Sequence, residues 1–155
     1  MRLDDVSSGE ATMSLAFDGT VIVPAADPDD GERTAAALAS HLTPTSSVVI
    51  VNVIEKAGGG IDKASVSQRE EHADDIFERT DRILESTDAT VETAVLYGTD
   101  VVERIFDEAE DRNADAVVFT PREGNRLAEL LTGDVARRLV KEASIPVVAL
   151  PQDDS

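Results

Sequence analysis

Two hydrophobic rhythms alternate along the chain. Short β-branched runs, beginning with TVIVP at Thr20–Pro24 and VVIVNVI at Val48–Ile54, are each followed by a longer stretch of helical spacing. An apolar run of this length, bounded by turn residues, reads as a buried strand. Val48–Ile54 is apolar on both faces, which suits a parallel sheet covered on both sides. Thr90–Leu96, where Val91, Ala94, Val95 and Leu96 stand among polar residues, reads as a third strand. Ala116–Phe119 (AVVF) and Ile145–Leu150 (IPVVAL) read as the fourth and fifth.

The intervening stretches carry helix signals. Asp27-Pro28 supplies an N-cap and a proline suited to the first helical turn, and the helix is expected to continue to about Thr43, before Pro44. Ala73, Ile76, Phe77, Thr80, Ile83 and Leu84 make one apolar stripe. Tyr97–Asp100 is expected to turn into a third helix, with Asp100 and Glu103 placed as in a capping box and Val101, Val102, Ile105, Phe106 and Ala109 as its buried face. Leu127, Leu130, Leu131, Val135 and Leu139 mark the last helical segment. Gly133 interrupts it, and a glycine there costs about 1 kcal/mol against alanine; it serves either close backbone approach or a helix start at Asp134, the latter dividing the segment into a short turn at 126–131 and a second helix from near 133.

Five strands alternating with four helical segments predict an α/β fold: a single doubly wound five-stranded parallel sheet with right-handed crossovers. Its ligand crevice should lie beyond the strand C-termini, where the winding reverses. Those ends are Pro24–Asp27, Val53–Ile54, Leu96–Thr99 and Thr120–Gly124.

Composition narrows the function classes. A chain of 155 residues fits one domain. The polar stretch 1–17 is expected to be a flexible extension with a short ordered piece near Leu15–Phe17, ahead of a domain over 18–151 and an acidic tail at 152–155. With no cysteine, disulfides, zinc thiolates and thiol catalysis are excluded. No apolar run is long enough to span a membrane, and the N-terminus is acidic rather than secretory, so the cytoplasm is expected. The net charge of −18, from 32 acids against 14 lysines and arginines, repels nucleic acid and anionic lipid. With 41% hydrophobic residues the chain is no disordered acidic tail, and the charge is expected to reflect a high-salt interior. At about 1 M salt the Debye length is about 3 Å and the repulsion is screened.

Each candidate site has a plain structural alternative. Asp27 could hold a ribose or an amino group, or merely cap its helix. Gly58-Gly59-Gly60 is not set between a strand and an immediate helix, so it reads as a connector and not as a phosphate loop. Gly98 allows either close ligand approach or a tight turn. His41 and His72 are the only histidines; they are expected at solvent-facing helix positions, with no metal site. The run Arg69-Glu70-Glu71 with Asp74-Asp75 is expected to be a solvated helix face. No nucleophile elbow, P-loop or catalytic triad is visible, and no catalytic residue is assigned. The turn after strand four keeps Gly124 and Gly133, and backbone N–H groups there have an anion-binding geometry.

VIVPAAD at the first strand, LYGTDVVERIFDEAEDRNADAVVF and the ending GDVARRLVKEASIPVVAL together resemble a universal stress protein domain of the UspA-like type, over about residues 18–150. The resemblance implies a flavodoxin-like or Rossmann-like sheet, as in the adenine nucleotide alpha hydrolases, with strand order 3-2-1-4-5. It also implies a homodimer, a stress-response or regulatory role, and no turnover. The nucleotide-binding branch of the family holds ATP on Gly-x2-Gly-x9-Gly-Ser/Thr. Here Thr120 and Glu123 stand at the two leading glycines, Gly133 keeps the third, and Asp134 replaces the hydroxyl. Gly124 falls one residue late. The family's strand-one aspartate falls at Ala26, one place before Asp27, and Val53 matches the strand-two position that meets adenine through its backbone.

A carboxylate about 4 Å from a phosphate costs on the order of 4 kcal/mol at an effective dielectric of about 20. Glu123 and Asp134 are therefore expected to weaken triphosphate binding, with Arg122 and Arg126 offsetting part of the cost. The leading expectation is a stress-related protein that does not hold ATP tightly. The alternatives are an adenine-nucleotide sensor, taking ATP or AMP with Mg²⁺, and a weak phosphohydrolase. The nucleotide would meet Pro24, Ala25, Ala26, Asp27, Val53, Gly98, Phe119, Thr120, Arg122, Glu123, Gly124, Gly133, Asp134 and Val135. The homodimer is expected to form through the last strand, at Ile145, Val147, Val148, Ala149 and Leu150, which would otherwise leave an exposed edge.

Overall fold

The computed structural model describes residues 15–55, 63–121 and 134–152. Five parallel strands, β1 (Thr20–Pro24), β2 (Ser47–Glu55), β3 (Thr90–Gly98), β4 (Ala116–Phe119) and β5 (Val147–Ala149), form one sheet in the order β3-β2-β1-β4-β5. The helices are α1 (Pro28–Leu38), continued by a 3-10 turn at Ala39–His41, α2 (Lys63–Leu84), α3 (Val101–Asp111) and α4 (Asp134–Lys141). The expected doubly wound α/β fold is the one found.

The pleat sorts the strand residues into two cores. Val21, Val23, Val48, Ile50, Ala116 and Val118 face α1 and α2, whose Leu38, Ala73, Ile76 and Phe77 cover them. Ile22, Val49, Val51 and Val117 point the other way, under Val102, Ile105 and Phe106 of α3 and Leu139 of α4. This is why VVIV runs have no polar face: both sides of β1, β2 and β4 are covered.

Several boundaries differ from the sequence reading, each for a local reason. The first helix stays α-helical only to Leu38 and tightens to 3-10 geometry before Pro44. β3 runs on through Tyr97 and Gly98, because β2 extends to Glu55 and offers them ladder partners. Tyr97 and Gly98 are thus strand residues, and the turn shrinks to Thr99-Asp100. β5 is only Val147–Ala149: Ile145 and Pro146 precede it, although the Pro146 carbonyl accepts from Val117 N–H at 2.9 Å. Residues 58–60 and 126–131 lie outside the described residues.

The segment ahead of β1 is docked. Phe17 is buried, bridges to Leu42, and donates its N–H to the His41 carbonyl at 2.9 Å. The His41 ring stands edge-on to Phe17, and its Nδ1 donates to the Leu15 carbonyl at 2.7 Å. His41 is therefore a packing residue rather than a solvent-facing one. Among the described residues no helix is long and apolar enough to cross a membrane.

Candidate functional site

β1 pairs with β2 on one side and β4 on the other, so the winding reverses at β1 and leaves a crevice at the strand C-termini. The chain's own side chains occupy much of it near β4. Asp27 caps α1, its Oδ1 accepting from Asp30 N–H at 2.8 Å. Asp30 in turn accepts from Ala26 N–H at 3.2 Å and pairs with Arg33. Arg33 Nε makes a long 3.4 Å contact to the Thr120 carbonyl, and the Thr120 N–H donates to Thr34 Oγ1 at 3.2 Å. At the first glycine position of the phosphate motif, both backbone groups thus already face α1. Thr120 is buried, and its hydroxyl finds no partner among the described residues.

A cavity of ≈600 Å³ opens beside this network, at the C-terminal end of β2. Asn52, Val53, Ile54 and Glu55 of β2 line it, with Ala26 from the loop after β1. Arg69 and His72 of α2 close one side, and Thr99 and Val101 close the other. Asn52 is a polar residue in an otherwise apolar strand, and burying an amide without a bond costs free energy. Its Nδ2 donates to the Ala25 carbonyl at 2.8 Å, while Ala25 N–H donates to the Val51 carbonyl at 3.0 Å. These bonds hold the β1–α1 loop against β2 beyond the last ladder pair, Pro24 with Val51.

One stretch of α2, residues 69–72, reaches three strand ends. Arg69 Nη1 donates to the Glu55 carbonyl at 2.9 Å, past the end of the β2 core. The Tyr97 hydroxyl, near the end of β3, donates to Glu70. His72 Nε2 lies 3.1 Å from the Ala26 carbonyl, after β1. A carbonyl can only accept, so Nε2 carries the proton. The Glu70 hydrogen bond, helped by burial and the carboxylate charge, raises the Tyr97 pKa, because each favours the protonated phenol.

The structure brings together only part of the expected site. Ala26 and Val53 line the cavity. Ala25 is core, Pro24 ends β1, and Phe119 ends β4 against the α3 side. Gly98 neither turns the chain nor lines the cavity. It ends β3, where an added Cβ would lie 3.2–3.3 Å from the Arg104 side chain. Asp134 opens α4 as expected and Val135 follows it, both exposed; Val135 is therefore not part of a buried stripe with Leu139. Arg122, Glu123, Gly124 and Gly133 lie outside the described residues. Just after the last strand, Leu150 is buried in the chain's own core. Ile145, Val147 and Val148 are half-buried against it, and Ala149 is exposed.

Asn52, Glu55, Arg69, His72 and Val101 are the lining residues that sequence reasoning missed, whereas Ile54 and Thr99 lie at strand ends it had placed beside the crevice. Arg69 and Glu70 were expected on a solvated helix face and His72 at a solvent-facing position; Arg69 and His72 are exposed, yet all three side chains also bond to the strand ends. The signal for Asn52 was present, since a lone amide inside VVIVNVI has to be satisfied somewhere. Nothing in the spacing distinguishes Arg69 and His72 from the other polar residues of α2.

The universal stress protein family model matches residues 19–151. No curated protein matches the sequence significantly. Among solved structures, a universal stress protein from Archaeoglobus fulgidus superposes with a TM-score of 0.63 at 19% identity, covering 89% of this chain and 99% of its own. The same organism's protein in complex with dAMP gives 0.60 at 18%, covering 90% and 99%. A universal stress protein in complex with cAMP gives 0.59 at 15%, covering 89% and 99%. At these identities the superpositions speak for the fold, and the family match over most of the chain speaks for descent: the chain belongs to the universal stress protein family.

Proposed function

We propose that the chain is a cytoplasmic regulatory protein of the stress response. It takes the adenosine part of an adenine nucleotide into the β2 cavity, does not hold a triphosphate tightly and carries out no turnover. The observation that carries this reading is the cavity itself, with Val53 and Ala26 on its wall and Asn52 beside them. Asn52 has committed its amide nitrogen to Ala25, which leaves its oxygen as an acceptor suited to an exocyclic amino group. The complexes of family members with dAMP and cAMP supply a precedent for nucleotides with a single phosphate.

Weak triphosphate binding is supported by Thr120. Its N–H, which a phosphate turn would present to the ligand, is bonded to Thr34. Asp134, at the start of α4, adds a negative charge where a phosphate oxygen would come. We further propose a homodimer through the outer edge of β5, and a habitat of high salt that screens the net charge of −18.

Titration calorimetry in molar KCl with adenosine, AMP and ATP with Mg²⁺ tests the reading. Adenosine and AMP are expected to bind, and ATP no more tightly than AMP. Failure of every adenosine compound to bind would remove the proposal, and ATP binding tenfold tighter than AMP would restore the triphosphate site.

A further inference from the structure

The cavity has a charge pattern unlike the rest of the molecule. Acids outnumber lysines and arginines 32 to 14 over the chain. Yet in this cavity Arg69 balances Glu55, its one acid among the described residues, and His72 stands on the same side as Arg69. Arg69 and His72 both come from α2, and neither belongs to the β4–α4 turn that the phosphate motif occupies.

Their placement is fixed. Arg69 is anchored to the Glu55 carbonyl and His72 to the Ala26 carbonyl, while Glu70 between them takes the Tyr97 hydroxyl. Anchoring of this kind lowers the ordering cost when a ligand arrives. Arg69 has five N–H donors and uses one on Glu55, so a fork remains for a planar or tetrahedral anion.

We infer that Arg69 forms an anion subsite on α2 that receives the phosphate of a nucleoside monophosphate, in place of the β4–α4 turn. The inference rests on the adenosine reading of the cavity given above. It assigns the phosphate to α2 and not to the turn after β4 that carries the sequence motif. A ligand lying this way keeps its phosphate away from Asp134 and needs no glycine at Thr120. It also limits the ligand to one phosphate, since Glu55 shares the rim.

The test compares adenosine, AMP and inorganic phosphate by titration calorimetry on the full chain in molar KCl. AMP is expected to bind at least about tenfold more tightly than adenosine, the scale of one charge-assisted hydrogen bond. Arg69→Gln should bring AMP to within about twofold of adenosine, both measured on the same variant. Arg69→Lys should keep part of the preference, as a charge without the fork. Arg82→Gln controls for net charge. It removes the same charge from the same helix 13 positions on, about 20 Å away, and should change nothing. Arg69 is exposed, so its variants should fold, which circular dichroism would check.

If adenosine binds but AMP binds no better, or if the AMP preference survives Arg69→Gln, the subsite is overturned while the adenosine reading stands. If neither adenosine nor AMP binds, both fall. Saturable phosphate competition against AMP, lost in Arg69→Gln, would establish the subsite independently of adenosine.

Discussion

Arg138 of α4 grips the carboxylate of Asp100, with Nη2 at 3.1 and 2.9 Å from its two oxygens, while its Nε holds Glu142 at 2.8 Å. Asp100 is also the N-cap of α3, accepting from Glu103 N–H at 3.1 Å. One guanidinium therefore joins the start of α3 to the last turn of α4. The Glu103 N–H bond first, and Arg138 second, hold the Asp100 carboxyl below its usual range; Arg138 does the same for Glu142 and is itself raised. Groups whose folded pKa is depressed stabilise the fold above their unfolded pKa, about 4, and lose that contribution as pH falls through the folded value. Arg138→Gln should lower the melting temperature at pH 7, and the gap between variant and parent should close in acid, below about pH 4. A gap that stays constant from pH 7 to 3 would refute the assignment.

Tyr97 should titrate above its ordinary value near 10. The Glu70 bond favours the neutral phenol, so Glu70→Gln should lower the midpoint toward the ordinary value. Tyr97 is the only tyrosine and there is no tryptophan, so ultraviolet absorbance reads it alone. Identical midpoints in parent and variant would mean that α2 is not tied to β3 in this way.

Gly31 should resist replacement. In an exposed helix, alanine in place of glycine gains about 1 kcal/mol. Here α1 lies so close to α2 that an added Cβ would sit 2.0 Å from Thr80 Oγ1 and 3.3 Å from Thr80 Cβ. A change of the Thr80 rotamer moves its hydroxyl but not its Cβ, which is buried and stays 3.3 Å from the added carbon. Gly31→Ala should cost about 1–3 kcal/mol in urea denaturation, and Gly31→Ala with Thr80→Ala should recover part of it. A stabilised single variant would show that the two helices are further apart than the structure has them.

The proposed dimer is best probed at Ala149. Val148 is half-buried against the chain's own core, so a lysine there would disturb the fold as well as an interface. Ala149 is exposed on the edge strand. Ala149→Lys should halve the mass measured by light scattering without lowering the subunit's helix content. A monomeric parent, or a variant that stays dimeric, would remove β5 as the interface.

How far the sequence carried depended on the range of the forces involved. Periodicity and caps are local. TVIVP, AVVF, Asp27-Pro28 and Asp100 therefore identified β1, β4 and two helix starts, and the alternation of strands and helices predicted parallel strands, while the strand order 3-2-1-4-5 came with the family resemblance. The glycine interruption at Gly133 likewise marked the start of α4 at Asp134.

What the chain alone left open were contacts between distant segments. His72 is an unremarkable helix residue until the fold carries it to Ala26, 46 positions away. Thr120 reads as a substituted glycine until its N–H meets Thr34, 86 positions away. Tyr97 and Gly98 read as a turn until β2, running on to Glu55, pairs with them. The sequence determined the frame, because hydrophobic patterning selects which faces are buried wherever neighbours lie within a few residues. Only the tertiary structure decided which polar groups line the cavity, because a hydrogen bond depends on where long crossovers bring its two partners.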